Sequence, residues 1–287
     1  MTWHISTRFL ILVLINQLWG IFLTTLPTTL RKTALITGAS SGIGKALAFE
    51  FAKDGYDVVL AARSIEKMKS LANELHSHFK VNVIVISADL EINGGATTLH
   101  ADIKARGIRL NALVNNAGYG TFGEFKNSSL SAELSMMKLN MEAVVALTRL
   151  CLPDLLATKG KLLNVASTAA FQPGPYMAVY CATKSFVLSF TEAIACELED
   201  TGVEVMAFCP GPTASGFQEK AELGNSALIK GKKLPTSEYV ARLGYRAMQR
   251  GQRVYIPGFI NWVMAQSMRF TPRNLATKVV KIMIKPI

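Results

Sequence analysis

Short apolar runs alternate along this chain with longer stretches of helical period. The runs are TALIT (33–37), DVVLAA (57–62), NVIVISA (82–88), ALVNN (112–116), KLLNVAS (161–167), VEVMAFC (203–209) and RVYIP (253–257). They are near-continuous in Val, Ile and Leu rather than strictly alternating, as in strands covered on both faces. Between them, Lys45–Lys53 and Ser64–Phe79 repeat apolar residues at helical spacing. This pattern predicts an α/β fold: a doubly wound, mostly parallel sheet of seven strands with helices on both faces. One domain, residues 32–258, accounts for all seven.

Two regions fall outside that alternation. Phe9–Leu26 is an 18-residue run without a charge. As a helix it reaches about 27 Å, slightly short of a ~30 Å hydrocarbon core. Trp3 and Trp19 suit an interface, while Asn16, Gln17 and Gly20 weaken the span. The expectation is an N-terminal hydrophobic helix within residues 1–31 that anchors the chain to a membrane. A helix packed on the protein and a cleaved signal peptide are the alternatives; no small-x-small cleavage site supports the latter. Arg31 and Lys32 outnumber Arg8 at the flanks, which places the following domain in the cytoplasm. A soluble cytoplasmic protein is the alternative.

Composition changes the picture at the other end. Half the residues are hydrophobic and 18% are charged, which excludes a disordered chain. The formal net charge is +11, and it is entirely local. From Lys230 onward there are twelve Lys/Arg and one acid, Glu238, whereas residues 1–229 balance nineteen against nineteen. Residues 259–287 interleave Trp262, Met264, Met268 and Phe270 with Arg269, Arg273, Lys278, Lys281 and Lys285. Such a segment suits an anionic membrane surface, or else packs its apolar face on the domain or a neighbouring subunit. No nucleic-acid recognition motif accompanies it. The four cysteines form no C-x-x-C pair and no metal-spaced cluster, so they read as small buried apolar residues, with neither zinc nor disulfides expected.

The chemistry begins after the first run, in TGASSGIG (37–44). Gly38, Gly42 and Gly44 permit a tight turn and close approach to a pyrophosphate. Ser40, Ser41 and Ile43 share that turn, which opens a helix whose N-terminus favours an anion. The second run ends Leu60-Ala61-Ala62-Arg63-Ser64, with a guanidinium where an NAD(H) site carries an acid. Arg63, helped by the Ser40 and Ser41 hydroxyls, suits a 2′-phosphate, so NADP(H) is preferred over NAD(H). Further on, Tyr180 and Lys184 fall on one helical face, Ser167 ends a predicted strand thirteen residues before, and Asn140 lies earlier still.

Together TGASSGIG, Asp89 in ADL, NNAG (115–118), Asn140, Ser167, YCATK (180–184) and PGPT (210–213) resemble the short-chain dehydrogenase/reductase family, over about residues 33–258. The wording LAARS, NNAGYGTFGEF and PGPTASGF is most similar to a broad bacterial branch of it. The resemblance implies that Tyr180 transfers a proton to or from a substrate oxygen. Lys184 and the positive nicotinamide of the oxidised cofactor lower the phenol pKa, Lys184 also holds the nicotinamide ribose, Ser167 positions the oxygen, and Asn140 anchors a relay water. It further implies that Asp89 and Leu90 contact adenine, that Asn116, Ala117 and Gly118 line the adenosine ribose, and that Pro210, Gly211 and Thr213 meet the carboxamide. Asn115 is expected to tie neighbouring strands together. Residues 216–233, with Phe217, Leu223 and Leu228, read as a loop over an apolar, lipid-like carbonyl or alcohol. Reduction of a 3-oxoacyl thioester and a non-catalytic NADP(H)-binding sensor or scaffold are the alternatives, and a homo-oligomer is compatible with the family.

Overall fold

The computed structural model describes residues 31–286 except Glu222 and Leu228. Residues 32–286 belong to one unit, in which strands and helices follow each other almost without exception. The order is β1 (Thr33–Thr37), α1 (Gly42–Lys53), β2 (Asp57–Ala62), α2 (Ile65–Phe79), β3 (Val83–Ser87), α3 (Gly95–Ala105) and β4 (Ala112–Asn115). Then come α4 (Leu130–Met137), α5 (Ala143–Thr158), β5 (Lys161–Val165), α6 (Ala178–Glu197), β6 (Glu204–Phe208), α7 (Phe217–Lys220), α8 (Ser237–Gln249) and β7 (Val254–Tyr255). Two further helices, α9 (Phe259–Ser267) and α10 (Arg273–Ile284), close the chain.

Among the described residues the strands form one seven-stranded sheet in the order β3-β2-β1-β4-β5-β6-β7, every neighbouring pair parallel. Successive strand residues feed opposite layers, which explains the continuous apolar runs. Ala34 and Ile36 of β1, Val58 and Leu60 of β2 and Phe208 of β6 pack with α1, α2 and α8. Leu35, Val59, Leu113 and Leu162, pointing the other way, pack with α3, α5 and α6. On the first layer Phe51 meets Tyr56 and Tyr245 edge-on, with ring centroids 5.2 and 4.9 Å apart.

The chain turns outward in both directions from β1 and β4, so their carboxyl ends border a crevice. Buried amides fix the strand heights beside it. Asn115 and Asn164 are opposite each other on β4 and β5, and Asn115 Nδ2 donates to Asn164 Oδ1 at 2.9 Å and to Thr148 Oγ1 at 3.1 Å. Asn164 Nδ2 then donates to Thr191 Oγ1 of α6 at 2.9 Å. Asn115 does tie neighbouring strands, as its sequence setting suggests.

The run Phe9–Leu26, where an N-terminal hydrophobic helix is expected, lies outside the described residues. No helix among the described residues is long and apolar enough to cross a membrane. At the other end, residues 259–286 fold into two short helices, and Ala265, Ala276, Val280 and Ile284 are buried. Cys151, Cys181 and Cys209 are buried, with burial pushing each thiol up to about 12, but Cys196 is exposed and departs from the buried reading.

Candidate active site

The crevice widens into a cavity of about 1120 Å³. Its floor is the glycine turn. Gly38 and Gly42 adopt φ of +64° and +57°, and Gly38 N–H donates to Ala61 O at 2.8 Å. A Cβ on Gly38 would come within 2.9 Å of Ala117 Cα, so the turn and the β4 exit touch backbone to backbone. Thr37 Oγ1 accepts from the N–H groups of Asn116 and Ala117 at 3.0 and 3.1 Å. Asn116 Nδ2 donates to Thr37 O at 2.9 Å and Gly38 O at 3.3 Å. Asn116 therefore lines the cavity while its amide braces the turn. Gly44 does not line the cavity; it sits beneath, where a Cβ would press on the Asn116 amide and the Gly38 carbonyl. A backbone cradle that side chains would fill fits a dinucleotide pyrophosphate.

Beyond the turn, Arg63 and Ser64 leave β2, and Asp89 and Leu90 follow β3. Asp89 Oδ1 accepts from Glu91 N–H at 2.9 Å, which presents the Glu91 carboxylate to Arg63 at 2.8 Å. The guanidinium expected at a 2′-phosphate thus already holds an acid. Sequence reasoning missed Glu91, and the ADLE stretch gives no hint that its side chain turns back to β2.

At the far end, three side chains meet. Ser167 stands just after β5; its Oγ donates to Pro210 O at 3.3 Å and accepts from Ala169 N–H at 3.1 Å. Tyr180 and Lys184 lie one turn apart on α6 and are both buried. Lys184 Nζ donates to Val165 O at 2.8 Å and lies 6.0 Å from the Tyr180 ring centroid. Burial lowers its pKa to about 8, opposed by the nearby Cys209. In the protein alone, burial raises the Tyr180 phenol pKa and the Ser167 hydroxyl pulls it down. The lowering that the resemblance implies draws on the oxidised nicotinamide as well as on Lys184.

Asn140 lies outside the cavity lining and is buried behind it, on a π turn spanning Lys138–Glu142. Its Nδ2 donates to Tyr119 O at 2.9 Å and Thr183 Oγ1 at 3.1 Å, and its Oδ1 accepts from Tyr119 N–H at 3.2 Å. Gly118 separates it from the lysine: a Cβ there would lie 2.9 Å from Asn140 Oδ1 and 3.5 Å from Lys184 Nζ. Pro210, Gly211 and Thr213 line the cavity after β6, and the Asn261 side chain of α9 presses on Gly211. The remaining wall is apolar. Tyr180 and Phe217 rings pack at 5.3 Å, with Met177, Leu223, Val280 and Ile284 alongside. Phe217 and Leu223 are where the loop reading puts them; Leu228 is outside the described residues. Val280, Met283, Ile284, Asn261 and Met264 escaped sequence reasoning, because nothing local announces that α9 and α10 fold back on the crevice.

A parallel sheet split at β1/β4, a glycine cradle and a Ser–Tyr–Lys group define a nucleotide-dependent α/β oxidoreductase. The chain belongs to the short-chain dehydrogenase family, whose model matches residues 32–225. It is 31% identical over 263 residues to very-long-chain 3-oxoacyl-CoA reductase-B of Danio rerio, spanning 88% of this chain and 80% of that one. It is 33% identical over 235 residues to an NADP-dependent 3-hydroxy acid dehydrogenase of Schizosaccharomyces pombe, covering 78% and 90%. Among solved structures, a short-chain dehydrogenase from Sphingobium yanoikuyae in complex with NADPH superposes with a TM-score of 0.75 at 28% identity, covering 83% and 94%.

Proposed function

We propose that this chain interconverts a ketone or aldehyde and an alcohol with NADP(H), on an apolar, lipid-like substrate. The supporting observation is the cavity itself, which joins the glycine cradle and Arg63 to Ser167, Tyr180 and Lys184 and then to an apolar wall. When bound, NADPH supplies the hydride. Tyr180 donates its proton to the carbonyl oxygen, and Ser167 hydrogen-bonds the same oxygen and fixes its place. Tyr180 is protonated at neutral pH, the form that reduction requires. Lys184 holds the nicotinamide ribose hydroxyls and replenishes the proton. Asn140 holds the Gly118–Tyr119 backbone, and the second lone pair of its Oδ1 anchors a relay water. Arg63, Ser40 and Ser41 hold the 2′-phosphate. Asp89 and Leu90 flank adenine, Ala117 and Gly118 the ribose, and Pro210, Gly211 and Thr213 the carboxamide.

A 3-oxoacyl thioester is the second substrate class, favoured by the name of the Danio rerio relative. Attachment to a membrane through Phe9–Leu26, with the catalytic domain in the cytoplasm, completes the reading. The test is NADPH consumption with ketones and 3-oxoacyl thioesters of increasing chain length. We expect activity that rises with chain length, and a loss of about 10³-fold or more in Tyr180→Phe. No turnover with any carbonyl, or full turnover in Tyr180→Phe, defeats the proposal.

A further inference from the structure

An amphipathic helix normally turns polar residues to water. In α9 and α10 the outward side is apolar as well. On α9, Asn261, Met264 and Ala265 point to the cavity, whereas Phe259, Ile260, Trp262 and Val263 are exposed. The Phe259 and Trp262 rings stack at 6.3 Å in the open. On α10, Ala276, Val280 and Ile284 are buried, and Leu275, Val279 and Ile282 form an exposed stripe within about 60° of helical arc. Lys278, Lys281 and Lys285 run beside that stripe on its side away from the buried face. Phe270, between the helices, is 88% exposed.

Two of these residues connect the surface to the chemistry. Phe259 and Ile260 line the cavity and yet are 78% and 75% exposed, so they stand on its rim. Lys232 and Lys233, also exposed, line the cavity too. An apolar patch of this kind marks a partner. Its charge selects which one. Residues 259–286 carry five basic side chains and no acid. A second copy would bring the same positive face against it, whereas an anionic surface complements it. Tryptophan and phenylalanine flanked by lysine and arginine suit the boundary between headgroups and acyl chains.

We propose that the exposed face of α9 and α10 docks on an anionic lipid bilayer, and that the lipid-like substrate enters the cavity there, past Phe259 and Ile260. The second part rests on the carbonyl-reductase reading above. A long-chain carbonyl then passes from the acyl region into the apolar wall formed by Val280 and Ile284 without crossing water.

The test uses the full chain with Trp3→Phe and Trp19→Phe, which leaves Trp262 as its sole tryptophan. Its fluorescence is followed with phosphatidylcholine vesicles carrying brominated acyl chains, with and without phosphatidylserine. Quenching reports the depth of this one side chain, whatever the Phe9–Leu26 run does. We expect strong quenching on phosphatidylserine vesicles, weak quenching on phosphatidylcholine alone, and reversal by high salt. Lys278→Glu with Lys281→Glu, or Leu275→Ser with Ile282→Ser, should weaken the response about tenfold. Both pairs should still reduce a short, water-soluble ketone at the parent rate. Absence of quenching on the phosphatidylserine vesicles overturns the proposal, as does light scattering that shows a dimer in which Trp262 is shielded from a water-soluble quencher. Loss of turnover on every detergent-dispersed carbonyl would instead defeat the reductase reading and leave the vesicle result standing.

Discussion

The two ends of the cavity are built at different levels of structure. At the glycine turn, backbone does the positioning: Gly38 lies against Ala117, Thr37 Oγ1 gathers two N–H groups, and Asn116 bonds back to the turn. At the apolar end, side chains from distant segments do it: Met177, Phe217, Leu223, Val280 and Ile284 converge from α6, the loop and α10. Backbone in close contact leaves no freedom for substitution, while converging side chains can be exchanged at modest cost. The first end suits a fixed ligand and the second a variable one. Between them stand Ser167, Tyr180 and Lys184, which must serve both.

The largest effect should come at that junction. Lys184→Met should lower kcat/KM by about 10³-fold without lowering the melting temperature, because the ammonium it removes is buried and desolvated. A matching fall in thermal stability would make Lys184 a structural residue instead. The wild-type pH dependence carries the same signature. A lysine shifted from 10.5 to about 8 is lost as an ammonium when pH rises through about 8, so kcat/KM for reduction should fall there. Stability should move oppositely. Between about 8 and 10.5 the unfolded chain binds the proton and the folded chain does not, so this group's contribution rises with pH across that window. Denaturant titrations across that range, repeated on Lys184→Met, would show the slope disappear.

Gly44→Ala tests the backbone end. Its Cβ would press on Gly38 O and the Asn116 amide, and NADPH affinity should weaken about 100-fold by fluorescence titration. Arg63→Gln should weaken NADPH by about 10-fold to 100-fold and leave NADH unchanged, as for one charge-assisted contact. Glu91→Gln should act in reverse and tighten NADPH a few-fold, since Arg63 no longer holds an acid. Val280→Ala tests the apolar end and should have the smallest effect. A loss of about 1 kcal/mol, or a few degrees of melting temperature, is expected with unchanged NADPH affinity. Should Val280→Ala disturb the cofactor as much as Gly44→Ala, the contrast between the ends would collapse.

What sequence revealed divides along the same line. All seven strands, the turn, Arg63, Ser167, Tyr180 and Lys184 were legible because each depends on local spacing: strand, then turn, then helix. The carboxyl ends of parallel strands converge by topology, so residues placed there meet without further information. Glu91 was not legible, since its approach to Arg63 depends on the hydrogen bond from its own N–H to Asp89. Nor was the place of Asn140 behind the wall, which follows from a π turn that leaves no mark on hydrophobic periodicity. The tail is legible as basic and amphipathic, and packing of its apolar face on the domain is one of its expected fates; that Val280 and Ile284 meet the Tyr180 cluster in particular is decided by the fold-back itself. The burial that raises the Tyr180 phenol pKa in the protein alone is a property of the assembled site and has no local signature.

The hydrogen-bonded chain from Asn115 on β4 through Asn164 on β5 to the Thr191 hydroxyl on α6 has a consequence for assembly. Strands as uniformly aliphatic as ALVN and KLLNV offer many almost equivalent ways to lie side by side. Sliding β5 by one residue would exchange its buried faces, strand two carboxamides in hydrocarbon, and carry Ser167 about 3.3 Å from its mate on α6. The Asn115–Asn164 pair works as a key cut for one lock position, so that the Ser167 hydroxyl arrives at its height beside α6 before any ligand is there to select it.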